Sequence, residues 1–241
     1  MIFAAGLGTR LKPLTDTRPK ALVEIGGKTL LQRTIETLQR AGATRIVVNA
    51  HHFAGQVAAF VDGYASPGLE LFVSDESGKL LDTGGGVKKA MPLFRPSEPV
   101  LIHNVDILSN ADLPALYRSA VETGADATLL VSDRKTSRYL LFGGGMRLAG
   151  WTNVDTGQVK SPHEGLDPAA HRMLAFSGIH VISPSLAGRM AAWPDRFPIM
   201  DFYLGECAVA RIVGTVQPGL ELLDVGKPEA LRKAAAWVAE H

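Results

Sequence analysis

The chain has only one cysteine, Cys207, so an internal disulfide is excluded. It also lacks a Cys-x-x-C pair or a cysteine/histidine cluster at metal spacing, and Cys207 is expected to be a small core hydrophobe. Net charge is scarce as well. The 25 basic and 24 acidic side chains leave a formal charge of +1, too little long-range field to draw the protein onto nucleic acid or anionic lipid. No apolar run approaches the ~18 residues of a membrane span. The apolar start, Met1 to Ala5, is broken by Gly6 and Gly8 and has neither the basic lead nor the length of a secretory signal. Internal repeats, low-complexity tracts and linkers are missing too. No nucleic acid, no membrane and a reducing, cytoplasmic compartment are therefore expected.

What is present is enough for one substantial core: 241 residues with 46% hydrophobic content. Short apolar runs alternate with helical patterns: Met1–Ala5, Thr29–Ala41, Arg45–Ala50, Phe53–Val61, Leu69–Ser74, Val87–Leu93, Pro99–Val105 and Leu113–Thr123. This predicts an α/β fold with a mainly parallel, twisted sheet flanked by helices. Leu31, Ile35 and Leu38 share one helical face, and Gly42 supplies the stop. Beyond Asp126 the texture shifts to strand-like Ala127–Ser132, Tyr139–Phe142 and Arg147–Thr152, with a turn at Gly143-Gly144-Gly145, which reads as a small antiparallel insertion at roughly 133–175. Residues 161–172 read as a long polar loop. Strand character returns at Ala175–Ile182, Arg211–Val216 and Glu221–Val225, before a final helix opened by Pro228. A single domain over 1–241 is expected.

The first strand runs into Gly6-Leu7-Gly8-Thr9-Arg10, a loop whose backbone N–H groups can face an anion because glycine lets the main chain approach phosphate. Two common phosphate motifs fail on inspection. A dinucleotide fingerprint needs a third glycine where Leu11 stands, and the ATPase loop needs a glycine at Leu22, ahead of Gly27-Lys28-Thr29. What remains is a long loop to Lys20 carrying the cations Arg10, Lys12, Arg18 and Lys20. Met1 stands so near it that a very short first strand is expected, with a residue or two expected to precede it in the native chain. Asp106 follows the apolar run Val100-Leu101-Ile102 and Asp224 follows Leu222-Leu223, both where strands of an open sheet end at its mouth. On position alone, either could equally be a turn former or helix cap. The histidines His51, His52, His163 and His171 show no metal spacing, and Trp193, Phe197, Phe202 and Tyr203 read as core or pocket wall.

The string from Ala4 to Thr15, followed by Pro19-Lys20, closely resembles the signature of the sugar-1-phosphate nucleotidyltransferases. The resemblance implies a Rossmann-like domain and transfer of a nucleotide from a nucleoside triphosphate to a sugar 1-phosphate. It implies that Ala4, Ala5, Gly6, Gly8, Thr9 and Arg10 hold the nucleotide, with Arg10 and Lys20 acting at the reacting phosphates. Asp106 and Asp224 resemble the family's pair of Mg²⁺ ligands, although Val105 replaces a usual glycine and Leu222 a frequent tryptophan. Glu76, Thr83, Gly84 and Asn104 fall where the family reads base and ribose. The Thr83-Gly84-Gly85-Gly86 form and Phe176-Ser177-Gly178-Ile179-His180-Val181 are similar to the short branch that includes N-acetylmuramate-1-phosphate uridylyltransferase. UTP with N-acetylmuramate 1-phosphate or a related hexose 1-phosphate is thereby implied. Mannose-1-phosphate guanylyl transfer and glucose-1-phosphate thymidylyl transfer stand as alternatives, as does a non-catalytic nucleotide-sugar-binding subunit. The acceptor side would draw on Arg138, Tyr139, Asn153 and Gly178. There the usual Tyr-Gly and Glu-Lys-Pro pattern gives way to Arg138-Tyr139-Leu140 and Gly150-Trp151-Thr152-Asn153.

Overall fold

The computed structural model describes residues 1–240. Its strands are β1 (Ile2–Phe3), β2 (Glu24–Ile25), β3 (Lys28–Thr29), β4 (Arg45–Ala50), β5 (Glu70–Asp75), β6 (Val100–Asn104), β7 (Ile107–Ser109), β8 (Ala127–Ser132), β9 (Arg138–Phe142), β10 (Leu148–Asn153), β11 (Gln158–Lys160), β12 (Arg172–Ile182), β13 (Ile212–Val216) and β14 (Leu222–Asp224). The helices are α1 (Leu30–Arg40), α2 (Ala54–Gly63), α3 (Asp82–Ala90), α4 (Leu113–Thr123), α5 (Pro184–Arg189), α6 (Ile199–Glu206) and α7 (Pro228–Glu240).

A mixed sheet of ten strands runs through the chain. In its first half β5, β4, β1 and β6 are parallel neighbours, as expected of βαβ units. In the second half β12 lies antiparallel to β6 and β8, while β13 adds in parallel to the far side of β8. The antiparallel insertion is β9, β10 and β11, which join the amino end of β12. Among the features not legible in the sequence are β11, and the start of β12 at Arg172 rather than Ala175.

Helices cover both faces. Ile35 and Leu38 of α1 pack with Val57 of α2 and Leu116 of α4 in one apolar cluster. Val87 of α3, Leu186 of α5 and Phe202 and Tyr203 of α6 belong to the other. α1 starts where the Thr29 hydroxyl accepts the Gln32 N–H (3.0 Å). It stops at Gly42, whose φ of 96° is the left-handed turn expected there. Among the described residues no helix is long and apolar enough to cross a membrane.

Candidate active site

The parallel strands of the first half point their carboxyl ends to the same edge, so the segments that follow β1, β4, β5 and β6 meet there. They enclose a cavity of about 360 Å³ lined by Ala4, Ala5, Gly6, Lys20, Asn49, Glu76, Thr83, Asn104 and Asp106, among others. Residues implied for the nucleotide thus meet residues implied for the chemistry in one space, together with Asn49. A larger cavity, about 460 Å³, opens beside Arg45, Ile46, Val100 and Leu101 at the opposite strand ends. It contains neither the glycine-rich loop nor the aspartates.

The glycine-rich loop is fixed by its own sequence and by one residue from a distant strand. Gly8 has φ 65°, and a Cβ there would lie 2.9 Å from Thr15 Cγ2, so both its conformation and its neighbour require glycine. The Thr15 hydroxyl donates to Gly8 O (2.8 Å), pinning the loop upon itself. Asn49, at the end of β4, accepts the N–H groups of Ala4 (2.7 Å) and Ala5 (3.3 Å) through Oδ1. Its Nδ2 donates to Glu76 Oε1 (2.7 Å). Glu76 is 1% exposed, and the Leu81 backbone N–H faces its carboxyl as well. Burial pushes its pKa above the usual carboxylate value, an effect the Asn49 hydrogen bond partly opposes. Asn49 was missed at the sequence level, though an asparagine closing the apolar run Ile46-Val47-Val48 beside β1 was a usable signal.

The charged groups gather at the far side of this loop. Lys20, only 8% exposed, donates from Nζ to Asp106 Oδ2. The Val225 N–H donates to Asp106 O (2.8 Å), and β14 pairs with β7 so that Asp224 lies opposite Ile107. The backbone segments carrying the two aspartates, far apart in sequence, are thus neighbours. Asp224 Oδ1 accepts the Gly226 N–H (2.8 Å), so this aspartate shapes the turn after β14 instead of capping α7. A Cβ on Gly226 would sit 2.7 Å from Asp224 Oδ1 and 3.0 Å from Arg10 Nη2, which locates the Arg10 guanidinium beside Asp224. Arg10 has no hydrogen bond or ion pair among the described residues. No group of three or more His, Cys, Asp or Glu suited to a metal exists among them either.

Thr83 and Gly84 are where α3 begins, not in a loop ahead of it: the glycine triplet lies inside the first turns of the helix. The reason is tertiary. Cβ atoms on Gly84 and Gly85 would collide with Phe197 Cε2 (2.3 Å) and Asp195 O (2.1 Å), and one on Gly86 would lie 2.8 Å from both Asn49 Nδ2 and Glu76 Oε1. The Gly84 N–H is given to Phe197 O (2.8 Å) and the Thr83 hydroxyl accepts the Ile199 N–H (2.8 Å). These two residues therefore anchor the start of α6 beside the cavity. Asp82, ahead of them, has φ 59° and pairs with Arg196 Nε (2.8 Å).

On the acceptor side the structure joins Arg138 and Asn153 as register partners on β9 and β10, next to the Tyr139–Thr152 pair. The Tyr139 hydroxyl accepts the Thr136 N–H (3.0 Å), and Asn153 Oδ1 accepts that of Asp155 (3.0 Å). None of the three lines the cavity. Gly178 sits at an irregularity of β12 with φ 80°, and a Cβ there would come within 2.7 Å of Asn104 Nδ2. Gly178 thus supports Asn104, which lines the cavity.

Comparison with known proteins gives the family and the fold. The family profile described as "MobA-like NTP transferase domain" matches residues 1–171. The chain is similar to N-acetylmuramate alpha-1-phosphate uridylyltransferase of Caulobacter vibrioides, 33% identical over 100% of this chain and 96% of that protein. The protein of the same description from Neisseria meningitidis serogroup B is 37% identical over 50% of this chain and 52% of its own. Among solved structures, a putative glucose-1-phosphate thymidylyltransferase from Bacillus anthracis in complex with a sucrose has a TM-score of 0.82. The match covers 100% of this chain and 94% of that one at 14% identity, a likeness of fold.

Proposed function

The chain belongs to the MobA-like NTP transferase family, and on that premise we propose that it joins a nucleoside monophosphate to a sugar 1-phosphate with release of pyrophosphate. The observation that carries the reading is the convergence of Arg10, Lys20, Asp106 and Asp224 at the mouth of a glycine-rich loop. An oxygen of the acceptor's 1-phosphate attacks the α-phosphorus in line. The new P–O bond forms as the bond to the bridging α–β oxygen breaks, and the electron pair departs with pyrophosphate. The nucleophile is already an anion, so no general base is needed. The difficulty is bringing two anions together, and fixed cations address it. At ~4 Å and an effective dielectric of ~20, each is worth roughly 4 kcal/mol to a neighbouring charge before desolvation. Backbone N–H groups of Gly6, Gly8 and Thr9 cradle the triphosphate, Arg10 faces its β and γ phosphates, and Lys20 lies at the reacting centre.

The Asp106–Asp224 pair fits Mg²⁺. Asp106 Oδ1 and Asp224 Oδ2 are uncommitted among the described residues, and two carboxylates on neighbouring backbone segments are a donor set that suits an ion completed by phosphate oxygens and water. Bound there, Mg²⁺ would neutralise and orient the triphosphate. The donor is UTP and the acceptor N-acetylmuramate 1-phosphate, the reading supported by the two uridylyltransferase relatives. A cytoplasmic setting goes with it, supported by the unpaired Cys207. Pyrophosphate release is the test, with Mg²⁺, a panel of UTP, dTTP, GTP and CTP, and several sugar 1-phosphates. UTP with N-acetylmuramate 1-phosphate should be the best pair, and D224A should lose at least ~100-fold in kcat/KM, the scale of losing one transition-state charge contact. No turnover by any pair would overturn the enzyme reading and leave a nucleotide-sugar-binding subunit. Full activity in D224A would overturn the metal assignment.

A further inference from the structure

We infer that Lys160, set against Trp151 at the edge of the insertion, is the residue that selects an acceptor bearing a second acidic group besides its 1-phosphate. The inference rests on the proposed transfer to a sugar 1-phosphate. Antiparallel pairing places Leu140, Trp151 and Lys160 opposite one another on β9, β10 and β11, and Arg138, Asn153 and Gln158 in the next row on the same face. That face is turned toward α6: Trp151 packs against the cluster holding Phe197, Ile199 and Phe202. Lys160 Nζ lies 5.6 Å from the centre of the Trp151 ring and 3.2 Å from Asp201 Oδ1. Asp201 is in the first turn of α6, just beyond Pro198, which lines the nucleotide cavity. The same turn is tied to the cavity wall through the Thr83–Ile199 hydrogen bond.

Three properties of this arrangement point to an acidic sugar. An indole face offers apolar surface to the C–H face of a pyranose. The ammonium beside it offers a point charge to an anion. Its present partner, Asp201, is a half-exposed carboxylate, and an ion pair this open to water is weak and exchangeable. From strand spacing and rise, the Cα atoms of Arg138 and Lys160 are about 12 Å apart. Their long side chains can close on two anionic groups of one sugar. A neutral hexose 1-phosphate satisfies only one of these cations.

The experiment compares two acceptors alike except for the acid: N-acetylmuramate 1-phosphate and N-acetylglucosamine 1-phosphate, each with UTP, on the full chain. K160Q should lower the ratio of kcat/KM for the acidic over the neutral acceptor by about 10- to 100-fold, through KM of the acidic one, the scale of one hydrogen bond to a charged group. K160R, which keeps the charge, should hold that ratio within about three-fold of the wild type. An unchanged ratio in K160Q, or an equal loss on both acceptors, overturns the inference while the transferase reading stands. A wild-type protein that turns over neither acceptor with UTP overturns the substrate assignment and this inference with it, while turnover of another nucleotide and sugar 1-phosphate pair would leave the transfer reaction standing.

Discussion

Removing the Asn49 side chain should loosen the glycine-rich loop and destabilise the protein at once. In N49A the Ala4 N–H and Glu76 Oε1 each lose a 2.7 Å hydrogen bond, and the Ala5 N–H loses a longer one at 3.3 Å. A buried polar group left unpaired costs about 1–3 kcal/mol. Counting the two short bonds, and allowing water from the adjoining cavity to replace part of what is lost, the expected destabilisation is about 2–4 kcal/mol. Urea unfolding at fixed pH reads it as a lower midpoint with unchanged slope. The loop should also lose its fixed position, and kcat/KM for the nucleotide should fall on the order of 100-fold, the cost of about 1 Å of misplacement. N49D separates the two halves of the contact. Its carboxyl can still accept from Ala4 and Ala5, but it has no N–H for Glu76, and two carboxyl groups must then share a proton. N49D stability should therefore fall as pH rises toward neutrality, relative to N49A. If N49A unfolds within about 0.5 kcal/mol of the wild type and keeps its kcat/KM, the idea that Asn49 fastens loop to cavity floor is wrong.

Two further outcomes follow from buried contacts. G86A puts a methyl 2.8 Å from both Asn49 Nδ2 and Glu76 Oε1, so it should cost about 1–3 kcal/mol in urea unfolding, and a neutral result would show that this wall yields. H180F concerns acid stability. His180 is fully buried against Phe176 and Tyr203, neither ring nitrogen is hydrogen-bonded among the described residues, and burial lowers its pKa to about 3. The unfolded chain takes up this proton below pH 6.5 while the folded one does not, so stability is lost as pH falls from about 6.5 toward about 3, at roughly 1.4 kcal/mol per unit. In H180F that part of the slope should vanish. An identical acid limb in both proteins would refute it.

The residues assigned to the catalytic half could be proposed from the sequence because the signals are short-range. The glycine-rich loop, Lys20, Asp106 and Asp224 each follow a strand or lie in one continuous motif, and the alternation of apolar runs announces where strands end. What could not be read depends on contacts across the chain. Gly84 and Gly85 are glycine because residues 195–197 cross over them. α6 carries apolar residues on nearly all sides, Ile199, Phe202, Tyr203 and Leu204 being buried, so it has no amphipathic period to detect. Asn49 matters through Glu76, a residue that follows another strand. β11 is a three-residue strand with every residue exposed, which leaves no hydrophobic alternation to mark it. The acceptor assignments Arg138, Tyr139 and Asn153 meet on one hairpin, yet the cation that reaches α6 there is Lys160, which strand pairing alone brings into place.

β12 gives the molecule a built-in ruler. Its 11 residues pair with β6 at one end and with β9 at the other. From Leu174, where β9 attaches, to Gly178, which backs Asn104, the strand can span at most about 13 Å. Adding or removing a single residue at 174–176, ahead of the irregularity that follows Phe176, would turn the side chains up to that irregularity to the opposite face and shift Gly178 away from Asn104. Lineages that acquire a new sugar preference should therefore keep this interval constant in length and put their insertions in the turn at 143–147 or the loop at 161–171, where chain can be added without recalibrating the distance between the insertion and the cavity.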